Sequence, residues 1–97
     1  MIYLLTSDVD MPNTVPFRAA VEATGLVPDV DADAFKDCGT QLNQWRIHTV
    51  PCLAKIHDGI AVDQISDLAW LDGKKAATIK GRFTNAVNAY ESARASV

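Results

Sequence analysis

Two cysteines, Cys38 and Cys52, are the residues of this 97-residue chain best suited to covalent chemistry, and they stand fourteen positions apart. That spacing is neither a CxxC redox pair nor a zinc knuckle. A nucleophilic thiol needs a depressed pKa, and only His48 and His57 stand near enough in sequence to help. Cys52 is thus the one candidate nucleophile, with little to activate it. The simpler reading makes both cysteines small buried residues. The two histidines lie nine apart, without a carboxylate or cysteine at ligand spacing, so no metal site is expected. Asp29-Val30-Asp31-Ala32-Asp33 spaces its acids as a calcium loop would. The sixth and twelfth positions of such a loop need glycine and a carboxylate, and here they hold Ala34 and Thr40. Strand-end acids and helix caps explain the run better. Asp10 could act as a general base or an anionic docking point, but an acid at a helix start also stabilises the helix dipole. That capping role is preferred.

The chain is long enough for one core and not for two, so residues 1–97 read as a single domain. Apolar residues make up 48% and charged residues 22%, which excludes disorder as its main content. No apolar run approaches the roughly 20 residues that span a bilayer. The opening Met1-Ile2-Tyr3-Leu4-Leu5-Thr6 lacks a basic start and stops at Ser7-Asp8, so it reads as a strand and not a signal peptide. A cytoplasmic location, with no membrane partner, is expected. A net charge of −3 argues against a general attraction to nucleic acid. Residues 1–40 hold seven acids against Arg18 and Lys36, whereas residues 74–97 hold five bases against Glu91. Those bases, Lys74, Lys75, Lys80, Arg82 and Arg94, are too few and too poor in interleaved aromatics for nucleic acid. A solvated helix face is the preferred account, and an acidic partner the alternative.

The elements that must position these groups follow from apolar spacing. Residues 2–6 form a buried strand. Asn13 stands as N-cap of a helix in which Phe17, Ala20, Val21 and Thr24 form one stripe, with Pro16 in the first turn and Gly25 as the stop. Residues 26–30 form a second strand, placed at an edge by Pro28. Asp31 or Asp33 caps a helix that breaks near Cys38-Gly39 and resumes at Thr40, with Leu42 and Trp45 inward. Residues 52–57 are a clear strand, Asp58-Gly59 a hairpin turn, and residues 60–62 the returning strand. Ser66 or Asp67 caps a short helix carrying Leu68 and Leu71. After Gly73, the residues Ile79, Phe83, Ala86, Val87, Tyr90 and Ala93 share one face of a long helix. The order is β-α-β-α-β-β-α plus one more helix. Strands joined through a helix should run parallel, and the hairpin should add an antiparallel edge.

That order, with Trp45-Arg46-Ile47-His48-Thr49-Val50-Pro51 ahead of a strand and hairpin, resembles the glutaredoxins and other thioredoxin-like proteins. The likeness covers roughly residues 1–72, leaving 74–97 as an added amphipathic helix. It implies an α/β, thioredoxin-like (glutaredoxin-like) fold: a mixed four-stranded sheet flanked by helices. It also implies a cis bond at Val50-Pro51, in a loop whose backbone pairs with a bound extended peptide. Ile65-Ser66-Asp67-Leu68-Ala69-Trp70-Leu71-Asp72 resembles the last-helix start of glutaredoxins, where an acid matching Asp67 holds the γ-glutamyl end of glutathione. The glycine pair that normally precedes that acid is absent, with Asp63 and Gln64 standing there. Redox members also place CxxC at the first helix, where the helix N-terminus stabilises a thiolate. Here Asp10, Met11, Pro12 and Asn13 occupy that place, and no cysteine precedes Cys38.

The expectation is therefore a non-catalytic module binding a protein or peptide partner through Asp10, Met11, Pro12, Asn13, Thr49, Val50, Pro51 and Asp67. It needs no cofactor, with glutathione the one the resemblance brings into view. Two alternatives stand beside it: a thiol-dependent oxidoreductase using Cys52, and an assembly protein that forms homodimers through the 74–97 helix.

Overall fold

A computed structural model of the chain describes residues 1–7 and 12–96. Four strands form one mixed sheet in the order β2-β1-β3-β4. β1 (Ile2–Thr6) lies at the centre, parallel to β2 (Val30–Asp33) and antiparallel to β3 (Cys52–His57). β4 (Ile60–Ile65) runs antiparallel to β3 and forms the opposite edge. The β3–β4 turn carries Asp58 at φ 55° and Gly59 at φ 77°. Two positive φ values in a two-residue loop match the right-handed twist of the strands they join.

α1 (Thr14–Thr24) follows β1 and buries Phe17, Val21 and Thr24 on one stripe. Gly25, at φ 81°, ends it and donates its N–H to the Glu22 carbonyl. Asn13 stands at the N-cap but makes no side-chain capping bond. Its αR backbone, unlike the extended form usual at that position, accounts for this. After β2 come a π-helical turn (Ala34–Cys38) and α2 (Gln41–Trp45). Asp33 caps the turn, accepting from the N–H groups of Phe35 and Lys36. α3 (Leu68–Leu71) is capped by Asp67, and α4 (Ala76–Ala95) closes the chain.

Two strands differ from the expected spans. β2 starts at Val30 instead of residue 26, so Pro28 precedes the strand. Leu26 is drawn into the core beneath α1, Val27 is 84% exposed, and Asp29 accepts the Ile2 N–H at 2.7 Å. Strand pairing with β1, not the local apolar run, sets where β2 begins. β4 continues to Ile65 because its pairing with β3 extends to Leu53.

Alternation along the strands splits the core into two layers. Ile2, Leu4 and Leu53 point toward α1, α3 and α4, packing with Phe17, Leu71 and Phe83. Leu5, Cys52 and Ala54 point the other way, toward Ala34, Cys38 and Trp45. α4 is part of the first layer: Ile79 and Phe83 are fully buried in it. Its far half rests on the hairpin through polar contacts. His57 Nε2 lies 2.7 Å from Glu91, and Asp58 accepts from Tyr90 at 2.8 Å and Arg94 at 2.7 Å. Among the described residues, no helix is long and apolar enough to cross a membrane.

Candidate functional site

The chain between α2 and β3 creates the site. Arg46, in a left-handed conformation at φ 63°, turns the backbone out of α2, and Ile47 returns to the second core layer. Gln64 of β4 donates to the Arg46 carbonyl at 3.0 Å, pinning the start of the loop. The Val50–Pro51 peptide bond is cis. Pairing of β3 with β1 begins only at Cys52, and pairing with β4 at Leu53. Among the described residues, no hydrogen bond engages the backbone of Thr49 or Val50. Thr49 is exposed and Val50 half-buried, and both stand just beyond the paired end of the sheet.

A cavity of about 200 Å³ lies on one side of this segment. Its walls bring together Asn13, Thr49, Val50, Pro51 and Asp67, all expected from the sequence, with Phe17, Ser66 and Leu68. Pro12 is exposed beside it and does not line it. Asp10 and Met11 lie outside the described residues. Asp67 spends Oδ1 on the Ala69 N–H at 2.9 Å, so its first task is to cap α3. Among the described residues the cavity has one carboxylate and no cationic side chain on its walls. Glutathione carries two carboxylates, and the described residues of this wall offer them no side-chain counter-charge. Those described residues do not fit that cofactor.

A second cavity, of about 610 Å³, lies on the other side and shares Thr49 and Val50 with the first. Phe35, Leu42, Ile47 and His48 line it, with Gly39 and Asn43. Sequence reading missed these residues. The one available signal was Phe35, an aromatic that no apolar stripe accounts for and that is 57% exposed.

Cys52 lines neither cavity. Its side chain is wholly buried in the second core layer, and burial pushes the thiol up to about 12. Such a group stays protonated at neutral pH, the opposite of what a nucleophile requires. Cys38 is also buried and free, its pKa raised by burial and by the carboxylates of Asp37 and Asp33. His57 is taken up by Glu91. The acids of the 29–33 run are individually employed: Asp29 on the Ile2 N–H, Asp31 on Arg18 and Asp33 as a cap.

Three of the five bases of the C-terminal stretch, Lys74, Arg82 and Arg94, are likewise engaged within the chain. Arg82 donates to both carboxylate oxygens of Asp63, at 2.6 and 3.0 Å, and stacks 4.6 Å from the Trp70 ring centre. Lys74 lies over the same ring at 5.2 Å, and Arg94 reaches Asp58. Comparison with protein-family models, with curated proteins and with solved structures finds no match to this chain.

Proposed function

We propose that this chain is a thioredoxin-like binding module without redox chemistry, which captures an extended segment of another polypeptide along Thr49 and Val50. The observation that carries the reading is the pair of unbonded peptide groups at those residues, at the end of a four-stranded sheet with a cavity on either side. An added strand satisfies such groups with main-chain hydrogen bonds, each worth about 0.5–1.5 kcal/mol net. The β2-β1-β3-β4 order and the loop before β3 support a thioredoxin-like assignment. The binding residues are Asn13, Thr49, Val50, Pro51 and Asp67, with Phe17 and Leu68 as apolar walls. The reading requires neither thiol nor cofactor. Two free, buried cysteines favour a cytoplasmic setting.

The test is to select short peptides on the intact protein and map them by amide chemical shifts. Perturbations centred on Thr49, Val50 and residues 66–68 are expected. Binders that map instead to the exposed edge of β2, or the failure of any peptide to bind, would overturn the proposal.

A further inference from the structure

The two cavities beside Thr49 and Val50 lie on opposite faces of the sheet. Phe17, a wall of the 200 Å³ cavity, belongs to the core layer beneath α1, α3 and α4. Ile47, a wall of the 610 Å³ cavity, belongs to the other layer, with Leu42 packed against it. A strand added along Thr49 and Val50 would send successive side chains to alternate faces. One residue of the bound segment therefore enters the small cavity while its neighbour enters the large one.

Resting on the binding role argued above, we propose that the two cavities read adjacent residues of one extended peptide, the larger taking a bulky apolar or aromatic side chain and the smaller a compact one. Size separates the two positions, because the second cavity has about three times the volume of the first: about 610 against about 200 Å³. Its walls decide the chemistry. Phe35, Leu42, Ile47 and Val50 are apolar, and among the described residues His48 is the only titratable side chain on its walls. Apart from an acid meeting His48, a charged side chain brought there would lose water without gaining a partner among these residues, which is unfavourable. Phe35 already exposes 57% of its surface at this wall, and covering an aromatic is a strong source of binding energy. Phe35 is thus a specificity residue, whereas Leu68 and Asn13 serve the other face.

The experiment uses the intact chain and peptides enriched from a random library, with affinities read by fluorescence anisotropy. Enriched sequences should carry Trp, Phe or Leu next to a small residue. Replacing that large residue by Ala should weaken binding about tenfold or more. Phe35→Ser, at a surface position, should leave the melting temperature unchanged. It should weaken the apolar peptide about fivefold and leave its Ala variant unaffected, whereas Leu68→Ser should weaken both. Peptides that shift Thr49 and Val50 but show no apolar preference and ignore Phe35→Ser overturn this inference alone. If no peptide binds, the parent reading falls and this one with it.

Discussion

Pro51 and Cys52 are consecutive, yet they serve opposite faces of the sheet. Pro51 lines the small cavity with Phe17 and Leu68, while the Cys52 side chain lies among Leu5, Ala34 and Trp45. A thiol next to the Thr49–Pro51 segment in sequence thus has its sulfur on the face opposite the small cavity.

Insulin disulfide reduction by this protein should therefore stay at the uncatalysed rate, and Cys52→Ala should not change it. Iodoacetamide at neutral pH should label the folded chain at Cys52 far more slowly than it labels a free thiol, because the thiolate is scarce and the sulfur buried. Turnover abolished by Cys52→Ala would restore the oxidoreductase alternative.

Burial of Cys52 also gives a pH dependence with a definite sign. Unfolded, the thiol loses its proton near pH 9; folded, it keeps it until about pH 12. Between those values the unfolded state binds fewer protons, so stability falls as pH rises, by at most about 1.4 kcal/mol per pH unit. Urea unfolding of wild type and Cys52→Ala at several alkaline pH values isolates this contribution from that of lysines and tyrosines. Wild type should lose stability more steeply above pH 9, and parallel curves would contradict the buried thiol.

α4 is a core element by virtue of Ile79 and Phe83. Phe83→Ala should cost about 3–5 kcal/mol, a large share of the 5–15 kcal/mol typical of small domains. Ending the chain at Gly73 should leave it unable to fold, because both residues are lost from the first layer. Circular dichroism melts check both. A native-like melt for the shortened chain would show that α4 covers a separate surface.

The Arg82–Asp63 pair is partly buried, at 35% and 17% side-chain exposure, and bidentate. Arg82→Lys keeps the charge but loses the fork and the stacking on Trp70. A loss of about 1 kcal/mol is expected, measurable by urea denaturation. Arg82→Ala should cost more than Arg82→Lys, and equal costs would assign the contribution to stacking and fork geometry instead of charge.

At the hairpin, Gly59→Val should destabilise by about 1–2 kcal/mol, because φ 77° crowds a Cβ against its own carbonyl. Nothing else lies within 4 Å of that position, so the cost comes from the backbone alone. A neutral substitution would mean that the turn readily adopts another form.

Much of the scaffold was legible because its signals are local. The Ile2–Thr6 run, the Phe17–Val21–Thr24 stripe, the Asp58-Gly59 turn and a cap at Ser66 or Asp67, which the structure assigns to Asp67, each depend on a few neighbouring residues. β2 was misplaced because Val30-Asp31-Ala32-Asp33 has no strand signature of its own. β1 pairing, the Asp29 bond to Ile2 and the Arg18–Asp31 ion pair hold it instead. The large cavity was invisible for a related reason: Phe35, Leu42 and Val50 meet only after two turns of chain have folded back.

By itself the amino-acid order determined that no CxxC pair exists, where most strands and turns fall, and that the Thr49–Pro51 segment precedes a strand. Tertiary structure alone decided which sheet face each strand residue occupies, sending Cys52 inward and leaving Thr49 and Val50 unbonded. The physical reason is that alternation defines two faces without naming them. Which helices cover each face is settled by packing between segments far apart in the chain.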